Sequence, residues 1–374
     1  MHSRSKARRL LTAVVAAAMA GSGAVPGVAC TSMVFKAQDG TEIYARTMEW
    51  GASDLHSQLL LVPRGTKFSS EFAPGKTGMA WTSRYGYVAI NANGLPFAAD
   101  GMNEEGLVVG MLYFPGFAEY QKPSDDTAKT IGNGDVANYL LGNFKTVEDV
   151  RKVMPTIRVV LDTAAAAQFG APAPLHYVVT DASGASIVIE YTKGALSIFD
   201  NRVGVMTNSP SYDWHILNLR NYANLKPQDA SPGRSINGVS LAPFGVGSGM
   251  LGLPGDFTPP SRFVRAVAYV QTMEPVKDAK EAVSAAAKML DNFDIPVGLV
   301  REGTSAQDQH VGFTQWSVIG DTRHKIYYYW TMYDRRMRSV DLTKLNFDAK
   351  KVTSIPLDRV RAEDIEDRTK DLNP

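Results

Sequence analysis

The sequence predicts an α+β fold in which groups of short strands alternate with groups of helices. From position 30 onward, runs of β-branched and aromatic residues are separated by turn signals such as Asp39-Gly40. Between these groups, apolar residues recur at helical spacing. No linker-like change in composition and no internal repeat interrupts residues 30–350. We therefore predict one layered domain over 30–374 with a charged C-terminal tail.

The individual elements follow from these patterns in chain order. A first strand group is predicted at 30–36, 41–46, 57–62, 87–90 and 107–114, followed by helices at 135–141 and 147–154. A second strand group is predicted at 176–180, 186–191, 196–199 and 203–207, followed by helices at 211–222, 261–273 and 276–293. Prolines 259 and 260 suit the first turn of the second of these helices. A final strand pair is predicted at 316–319 and 325–333, before the charged tail.

The N-terminus has the pattern of an export signal. Basic residues cluster within 1–9, the apolar run 10–20 is too short to span a bilayer, and 27–29 is a small-x-small cleavage pattern. A membrane anchor is the alternative, but no stop-transfer pattern follows. We predict that residues 1–29 are removed and that the mature chain is periplasmic or secreted. The general and the twin-arginine export routes both remain open.

The only cysteine stands directly after the predicted cleavage point. Exported proteins normally use cysteines in pairs as disulfides, whereas this chain has a single Cys, Cys30. A free N-terminal cysteine combines a thiol nucleophile with an α-amine, whose usual pKa of about 7.7–8.0 lets it accept a proton near neutral pH. We therefore predict that Cys30 is the nucleophile of an amide hydrolase. The competing hypothesis is a surface binding protein lipidated at Cys30, but Gly27 fits that processing signal poorly.

Composition and motifs weigh against several other functions. With 39 basic and 38 acidic side chains and no basic run, the chain predicts no nucleic-acid partner, and no further apolar stretch predicts membrane insertion. No metal-binding motif is present, so neither a metal nor an organic cofactor is predicted. The glycine-rich segment 244–255 lacks the ending of a phosphate loop and is predicted to shape a pocket. The histidines beyond the predicted export signal lie in no recognisable catalytic motif and are predicted to be structural or surface residues: His56, His176, His215, His310 and His324.

A series of ordered motifs makes the chain recognisable from Cys30 to about Asp334. These motifs are Cys30-Thr-Ser-Met, Tyr44-Ala-Arg-Thr-Met-Glu-Trp50, Asn103-Glu-Glu-Gly-Leu107, Pro174-Leu-His-Tyr177, Val205-Met-Thr-Asn-Ser-Pro210, Asp213-Trp-His215, Gly245-Val-Gly-Ser-Gly249, Leu253-Pro-Gly-Asp256 and Ser261-Arg-Phe-Val264. With them the chain resembles the choloylglycine hydrolase family, which contains penicillin V acylases and conjugated bile salt hydrolases. The resemblance implies the four-layer αββα sandwich of N-terminal-nucleophile hydrolases and hydrolysis of a linear amide through a thioester acyl-enzyme.

The same resemblance implies roles for individual residues. Cys30 matches the nucleophile, and Arg46 matches a buried cation beside it, where a guanidinium favours developing negative charge. Asn208 matches the side-chain amide that donates to the oxyanion, and Arg262 matches a second arginine that steadies the site. Glu49 stands where the family usually has Asp, and we expect it to hold the α-amine. The longer Glu side chain leaves the detailed geometry open.

Substrate preference is predicted from two aromatic residues. Tyr113 resembles the Tyr of penicillin V acylases, at a position where many bile salt hydrolases carry Asn, and its backbone N–H is expected to share the oxyanion. Trp50 could form an aromatic wall for a phenoxyacetyl group, although both residues could also be plain core. We predict a penicillin V acylase-like amidase. Conjugated bile salts and acyl homoserine lactones are the alternative substrates.

One segment predicts assembly. Residues 211–225 resemble the projecting assembly element of family tetramers. Four apolar residues in this segment exceed what one packed helix face requires: Trp214, Ile216, Leu217 and Leu219. We therefore predict a homotetramer.

Overall fold

A computed structural model describes residues 29–51, 53–164, 173–231, 233, 235–302, 310–361 and 365–372. The predicted export signal lies outside these residues, except for Ala29. No helix in the described ranges is both long and apolar enough to cross a membrane.

The strands, numbered in chain order, are β1 (Cys30–Lys36), β2 (Glu42–Trp50), β3 (Gln58–Val62), β4 (Lys67–Ala73), β5 (Lys76–Thr82), β6 (Tyr87–Ile90), β7 (Asp100–Asn103), β8 (Val108–Tyr113), β9 (Thr130–Gly132), β10 (Arg158–Val160), β11 (Leu175–Thr180), β12 (Ser186–Thr192), β13 (Ala195–Asp200), β14 (Val205–Met206), β15 (Ser235–Ile236), β16 (Val239–Ser240), β17 (Val300–Glu302), β18 (His310–Asp321), β19 (Ile326–Thr331), β20 (Arg338–Asp341) and β21 (Thr353–Pro356). The α-helices are α1 (Val136–Asn143), α2 (Val147–Val153), α3 (Tyr212–Asn218), α4 (Pro259–Thr272), α5 (Ala279–Leu290) and α6 (Thr369–Leu372).

Two large antiparallel sheets form the centre of the molecule. Within the described residues, one has seven strands in the order β14-β1-β2-β18-β19-β20, with β17 also beside β18. The other has eight, in the order β13-β12-β11-β8-β7-β6-β3-β21. In the first sheet Cys30 lies opposite Met48, and Ser32 lies opposite Arg46. Because alternate residues of a strand share a face, this register places the side chains of Cys30, Arg46 and Met48 on one face.

Helices cover the outer faces of both sheets. Helices α4 and α5 pack on the seven-stranded sheet, and α1 packs on β7 and β8 of the eight-stranded sheet. One apolar core joins the inner faces of the two sheets and continues beneath α4 and α5, and a second lies between the eight-stranded sheet and α1 and α2. The layer order is therefore helix, sheet, sheet, helix. The predicted α+β sandwich is confirmed.

Local sequence explains where several helices begin. Thr146 precedes α2, and its side chain accepts a hydrogen bond of 3.1 Å from the Asp149 N–H. Asp278 precedes α5 and accepts one of 3.0 Å from the Glu281 N–H. Such caps satisfy donors that the first helical turn leaves without partners. Prolines 259 and 260 occupy the first turn of α4, as predicted.

The structure differs from the sequence prediction at polar and exposed strands. β7 carries the charged residue Asp100, and β21 is exposed along its whole length, so neither has the apolar pattern of a predicted strand. β21 nevertheless pairs with β3 and extends the eight-stranded sheet. The charged tail predicted to follow residue 333 therefore begins only after β21. β2 also continues to Trp50, four residues beyond the predicted end at Arg46.

Candidate active site

The thiol of Cys30 lies between the two sheets at the start of β1. The residue is only 1% exposed. Its Sγ lies 3.5 Å from Nη2 of Arg46 and 3.7 Å from Sδ of Met48, the two side chains that the β1–β2 register places on its face. Cys30 is also the only free cysteine in the described part of the chain.

Arg46 crosses from the first sheet to the second. Its Nη1 donates to the Ala99 carbonyl at 2.8 Å and to Oδ2 of Asp100 at 3.1 Å, and its Nη2 donates to the Met111 carbonyl at 2.5 Å. Both members of the Arg46–Asp100 ion pair are fully buried. Burial by itself disfavours the Arg46 cation, but its interactions with Cys30, Tyr44 and Asp100 outweigh burial and raise the arginine's pKa.

Asp100 is fixed from three sides. Besides Arg46, the hydroxyls of Tyr44 and Tyr327 donate to its two carboxylate oxygens at 2.6 and 2.7 Å. Burial raises the pKa of Asp100, whereas Arg46 and the two hydroxyls act in the opposite direction. The carboxylate therefore holds Arg46 in place beside Cys30. Sequence reasoning missed Asp100 because its partners Tyr44, Arg46 and Tyr327 all lie more than fifty residues away in the chain.

Asn208 and Arg262 approach Cys30 from the other side. Arg262 Nη1 donates to the Cys30 carbonyl at 2.5 Å and to Oγ1 of Thr31 at 2.8 Å, and its Nη2 donates to Oδ1 of Asn208 at 2.7 Å. The same Oδ1 accepts from the Cys30 nitrogen at 2.8 Å. Two donors on Oδ1 define the orientation of the Asn208 amide. Burial lowers the pKa of Arg262 to about 10, and the nearby charge of Glu49 opposes that shift.

The Asn208 amide differs in one respect from the prediction. One of its N–H groups is directed at the Tyr113 carbonyl, at 2.7 Å, rather than into the space above Cys30. A primary amide has two N–H groups, so one remains for another acceptor. In the described chain the Cys30 nitrogen is still joined to Ala29 and is a peptide nitrogen. It marks the place that an α-amine would take after cleavage.

Glu49 lies next to this group on β2 and is buried. Oγ1 of Thr314 donates to Oε1 of Glu49 at 2.8 Å, while Oε2 has no hydrogen-bond partner among the described residues. Burial raises the pKa of Glu49 to about 7, although Arg262 acts to lower it. Thr314 reaches Glu49 because β18 has a bulge at Gln315, which places Thr314 opposite Glu49 and Trp316 opposite Met48.

The bulge residue Gln315 also supports the loop that follows β2. Its Oε1 accepts from the Leu55 N–H at 2.9 Å, and its Nε2 donates to the Ser53 carbonyl at 2.8 Å. This loop contributes Leu55 to the cavity beside Cys30. No local sequence signal marks Gln315, because a bulge depends on pairing with a distant strand.

A cavity of about 290 Å³ opens beside Cys30. The apolar part of its wall includes Trp50 and Tyr113, whose rings meet edge to face with centroids 6.2 Å apart. Asp135 and Asp162 also line the cavity, and burial together with the charge of Asp162 raises the pKa of Asp135 to about 6. The structure thus brings all seven predicted site residues together around Cys30 or its cavity.

Two further predictions concern segments that do not line this cavity, 244–255 and 211–225. The segment 244–255 does not line the cavity beside Cys30 and exposes Phe244, Val246 and Leu251, so its predicted role in shaping a pocket stays a prediction. In the predicted assembly segment, Trp214, Ile216 and Leu217 are exposed, whereas Leu219 packs partly against the core. The exposed apolar surface also includes residues of the β15–β16 hairpin and the segment after it: Ile236, Val239 and Leu241.

Comparison with known proteins agrees with this arrangement. Residues 30–355 match the family described as linear amide C–N hydrolases, choloylglycine hydrolase family. The chain is 32% identical over 330 residues to a bile salt hydrolase/transferase of Clostridium perfringens, covering 86% of this chain and 95% of the relative. It is 28% identical over 358 residues to a penicillin V acylase of Pectobacterium atrosepticum, covering 90% and 87% of the two chains.

Solved structures of both kinds share the fold. A variant of the conjugated bile acid hydrolase from Clostridium perfringens superposes with a TM-score of 0.77 at 28% identity, over 90% of this chain and 99% of that one. Penicillin V acylase from Agrobacterium tumefaciens gives a TM-score of 0.69 at 26% identity, over 88% and 92%. The family match over most of the chain and the shared αββα architecture lead to one conclusion: this chain belongs to the choloylglycine hydrolase family and is a hydrolase of linear amide C–N bonds.

Proposed function

We propose that the chain is an exported amidase whose nucleophile is the thiol of Cys30 at a mature N-terminus. The observation that carries this proposal is the set of contacts around Cys30: Arg46 on its Sγ, Asn208 on its nitrogen and Arg262 on its carbonyl. An attacking group needs this kind of fixed orientation toward a bound carbonyl. Export to the periplasm or beyond rests on the signal pattern in residues 1–29.

The reaction proceeds in two halves. The Cys30 sulfur attacks the amide carbonyl while its proton passes to the Cys30 α-amine, and the C–N bond then breaks as that amine protonates the leaving nitrogen. Water next attacks the thioester, gives its proton to the α-amine and releases the acid and the free thiol. Asn208, through its second N–H, and the Tyr113 backbone N–H stabilise the oxyanion in both halves. Oε2 of Glu49 accepts from the α-amine and holds it in place.

The buried position of Cys30 argues against the lipidated binding protein. A lipid on this cysteine would be attached through Sγ, yet Sγ lies between two sheets in contact with Arg46 and Met48. The nitrogen is equally enclosed, since it donates to Asn208. A lipidated Cys30 could not keep these contacts, so we favour the nucleophile.

A test of processing separates the two possibilities directly. We expect mass spectrometry of the purified mature protein to find an unmodified Cys30 at the N-terminus. Cys30→Ser should lower kcat by about 10³-fold or more, because a hydroxyl is a much poorer nucleophile than a thiol. Full activity in a chain that still carries residues 1–29, or a lipid on Cys30, would contradict the proposed mechanism.

For the substrate we propose an aromatic acyl amide of the penicillin V type. The edge-to-face pair of Trp50 and Tyr113 beside Cys30 can contact a flat aromatic ring, and each such contact contributes about 0.5–1.5 kcal/mol beyond area burial. Conjugated bile salts are the second candidate, because the chain has relatives named as bile salt hydrolases as well as one named penicillin V acylase.

A substrate panel decides between the candidates. We expect kcat/KM for penicillin V to exceed that for glycocholate and taurocholate by about one to two orders of magnitude. Tyr113→Asn should shift this ratio toward the bile salts without abolishing turnover, while Tyr113→Phe, which keeps the ring, should leave the ratio close to that of the unaltered enzyme. Acyl homoserine lactones complete the panel. A preference of the unaltered enzyme for glycocholate would show that Tyr113 does not set specificity.

We also propose that the enzyme is a homotetramer. The exposed side chains of Trp214, Leu217 and Val239 are apolar groups that a second copy could cover. Light scattering at micromolar concentration should give four times the mass of the mature chain, and Leu217→Glu should reduce that mass. A monomeric mass for the unaltered protein would reject the proposal.

A further inference from the structure

Two successive main-chain carbonyls at Asn208 each contact a buried histidine. Nε2 of His176 lies 3.0 Å from the Thr207 carbonyl oxygen, and Nε2 of His215 lies 2.9 Å from the Asn208 carbonyl oxygen. Both histidines are about as buried as Cys30. They come from different elements, because His176 is on β11 of the eight-stranded sheet and His215 is on α3.

The acceptor atoms show that Nε2 of each histidine carries a proton. A carbonyl oxygen only accepts hydrogen bonds, so both histidines carry a proton on Nε2 and donate it. Burial lowers the pKa of His215 to about 4, so this ring is neutral near neutral pH and its single proton stays on Nε2. Its Nδ1 has no hydrogen-bond partner among the described residues. Within the described ranges, the Asn208 carbonyl is therefore the one polar contact that holds this ring.

His176 is held by a second group, the buried carboxyl of Glu190. Nδ1 of His176 lies 3.1 Å from Oε1 of Glu190, and the Tyr212 N–H donates to the same oxygen at 3.0 Å. Both ring nitrogens of His176 therefore face oxygen atoms, which hold the ring from two sides. The chain from Glu190 through His176 to the Thr207 carbonyl is thus fully hydrogen-bonded.

Both rings are also stacked on neighbours of the active site. His176 stacks on Phe114 with ring centroids 4.3 Å apart, and His215 stacks on Phe263 at 4.5 Å. Phe114 directly follows Tyr113, and Phe263 directly follows Arg262. The two histidines therefore connect the main chain at Asn208 to the two segments that contact the Asn208 side chain.

We propose that His176 and His215 are positioning residues for Asn208, which fix its main chain from both sides and so hold its amide in the orientation that the oxyanion needs. This inference rests on the proposed role of Asn208. The Asn208 amide has little freedom to compensate, because its Oδ1 already accepts from Cys30 and Arg262. A displacement of about 1 Å in such a group can lower a rate by about 10²-fold.

Paired substitutions test the role of the Nε2 donor. The amide nitrogen of Gln lies near the place of histidine Nε2, whereas that of Asn lies near the place of Nδ1. His176→Gln and His215→Gln can keep the donor to each carbonyl, and His176→Asn and His215→Asn cannot. We expect each Asn variant to lower kcat by about 10- to 100-fold with KM changed less than about threefold, and each Gln variant to recover most of kcat.

Thermal stability is measured beside kcat, so that a loss of folded protein is not mistaken for a loss of positioning. Thermal unfolding of all four variants measures the stability that each loses: both members of a pair lose the ring stack, and the Asn member should unfold at a somewhat lower temperature because it also leaves a buried carbonyl without its donor. Loss of kcat in proportion to lost stability, or equal kcat in the Gln and Asn variants, would overturn the proposal. So would a fall in kcat/KM that comes only from a higher KM.

A second measurement tests the positioning role of His176 and His215 without depending on the proposed function. The side-chain amide resonances of Asn208, assigned by their loss in Asn208→Asp, should shift in the two Asn variants and stay near their original positions in the two Gln variants. If the unaltered enzyme hydrolyses no member of the substrate panel, the proposed function fails while these resonances still test positioning. Unshifted resonances in the Asn variants would contradict the positioning role by themselves.

Discussion

The two arginines beside Cys30 are both fully buried, but the structure compensates their charges in different ways. Arg46 forms an ion pair with Asp100 at 3.1 Å, and Asp100 is in turn fixed by two tyrosine hydroxyls. Arg262 instead donates to neutral oxygens, including the Cys30 carbonyl and Oδ1 of Asn208. The charge of Arg46 is thus largely balanced within its own cluster, whereas that of Arg262 is balanced mainly through space, by Glu49.

This difference suggests that the two arginines have different roles beside Cys30. The Arg46 side joins the two sheets through a buried, satisfied network, so it should contribute mainly to stability and to the position of Sγ. The Arg262 side holds the main chain and the amide that face the reacting carbonyl, so it should contribute mainly to the rate. A buried cation without a counter-ion in direct contact is costly to maintain, so the Arg262 side is not arranged for stability alone.

The largest effect is expected when the Arg46 side is broken. Asp100→Asn leaves the Arg46 guanidinium buried without its counter-charge, and we expect it to lower the free energy of unfolding by about 3–5 kcal/mol. Tyr327→Phe, which removes one hydrogen bond to Asp100, should lower it by about 1 kcal/mol. Urea unfolding measures both. A loss of less than about 1 kcal/mol in Asp100→Asn would mean that the pair is not the support described above.

On the Arg262 side we expect the change in rate instead. Asn208→Ala removes the amide that binds Arg262, Cys30 and the Tyr113 carbonyl, and it should lower kcat by about 10²–10³-fold. Its effect on the free energy of unfolding should be smaller than that of Asp100→Asn, because no ion pair is broken. Steady-state kinetics and urea unfolding of the two variants compare the sides directly. If Asn208→Ala keeps kcat within tenfold, the proposed oxyanion role is wrong.

Glu49 should make stability depend on pH. Its folded pKa of about 7 lies above its usual 4.5, so the folded chain binds more protons than the unfolded chain between these values. The free energy of unfolding should therefore fall as pH rises through this window, by about 3 kcal/mol in total. The measurement uses the chain that retains residues 1–29, in which the Cys30 nitrogen is uncharged. Glu49→Gln should flatten the dependence, and an unchanged slope would assign it to another group.

The smallest effect should come from the contact that supports Glu49 from β18. Thr314→Val removes the 2.8 Å hydrogen bond to Oε1 of Glu49, which favours the ionised carboxylate. We expect the pH transition of stability to move upward and the free energy of unfolding to fall by about 1 kcal/mol. Thr314→Ser, which keeps the hydroxyl, is the matched control. Equal transitions in the Val and Ser variants would show that this hydrogen bond does not tune Glu49.

Much of the fold was predictable because its signals are local. Apolar spacing located the five longer helices of the described chain, and runs such as 30–36 and 87–90 coincide with β1 and β6. Several of the missed strands are polar or exposed, such as β7, which carries Asp100, and β21. β7 is a strand because it pairs with β6 and β8, and Asp100 can be buried there because Arg46, Tyr44 and Tyr327 meet it. The β4–β5 hairpin was also missed, although its two strands are adjacent in the chain.

The sequence by itself determined the family, the unique cysteine and the residues that match the family's site, because identity and order along the chain are enough to recognise them. Only the tertiary structure decided what those residues touch. It assigned one Asn208 N–H to the Tyr113 carbonyl, placed Asp100 beneath Arg46, and brought His176 and His215 to the main chain at Asn208. Most of these contacts join residues far apart in the chain. The direction of a hydrogen bond between such residues depends on how two sheets and their helices pack, and no local pattern records it.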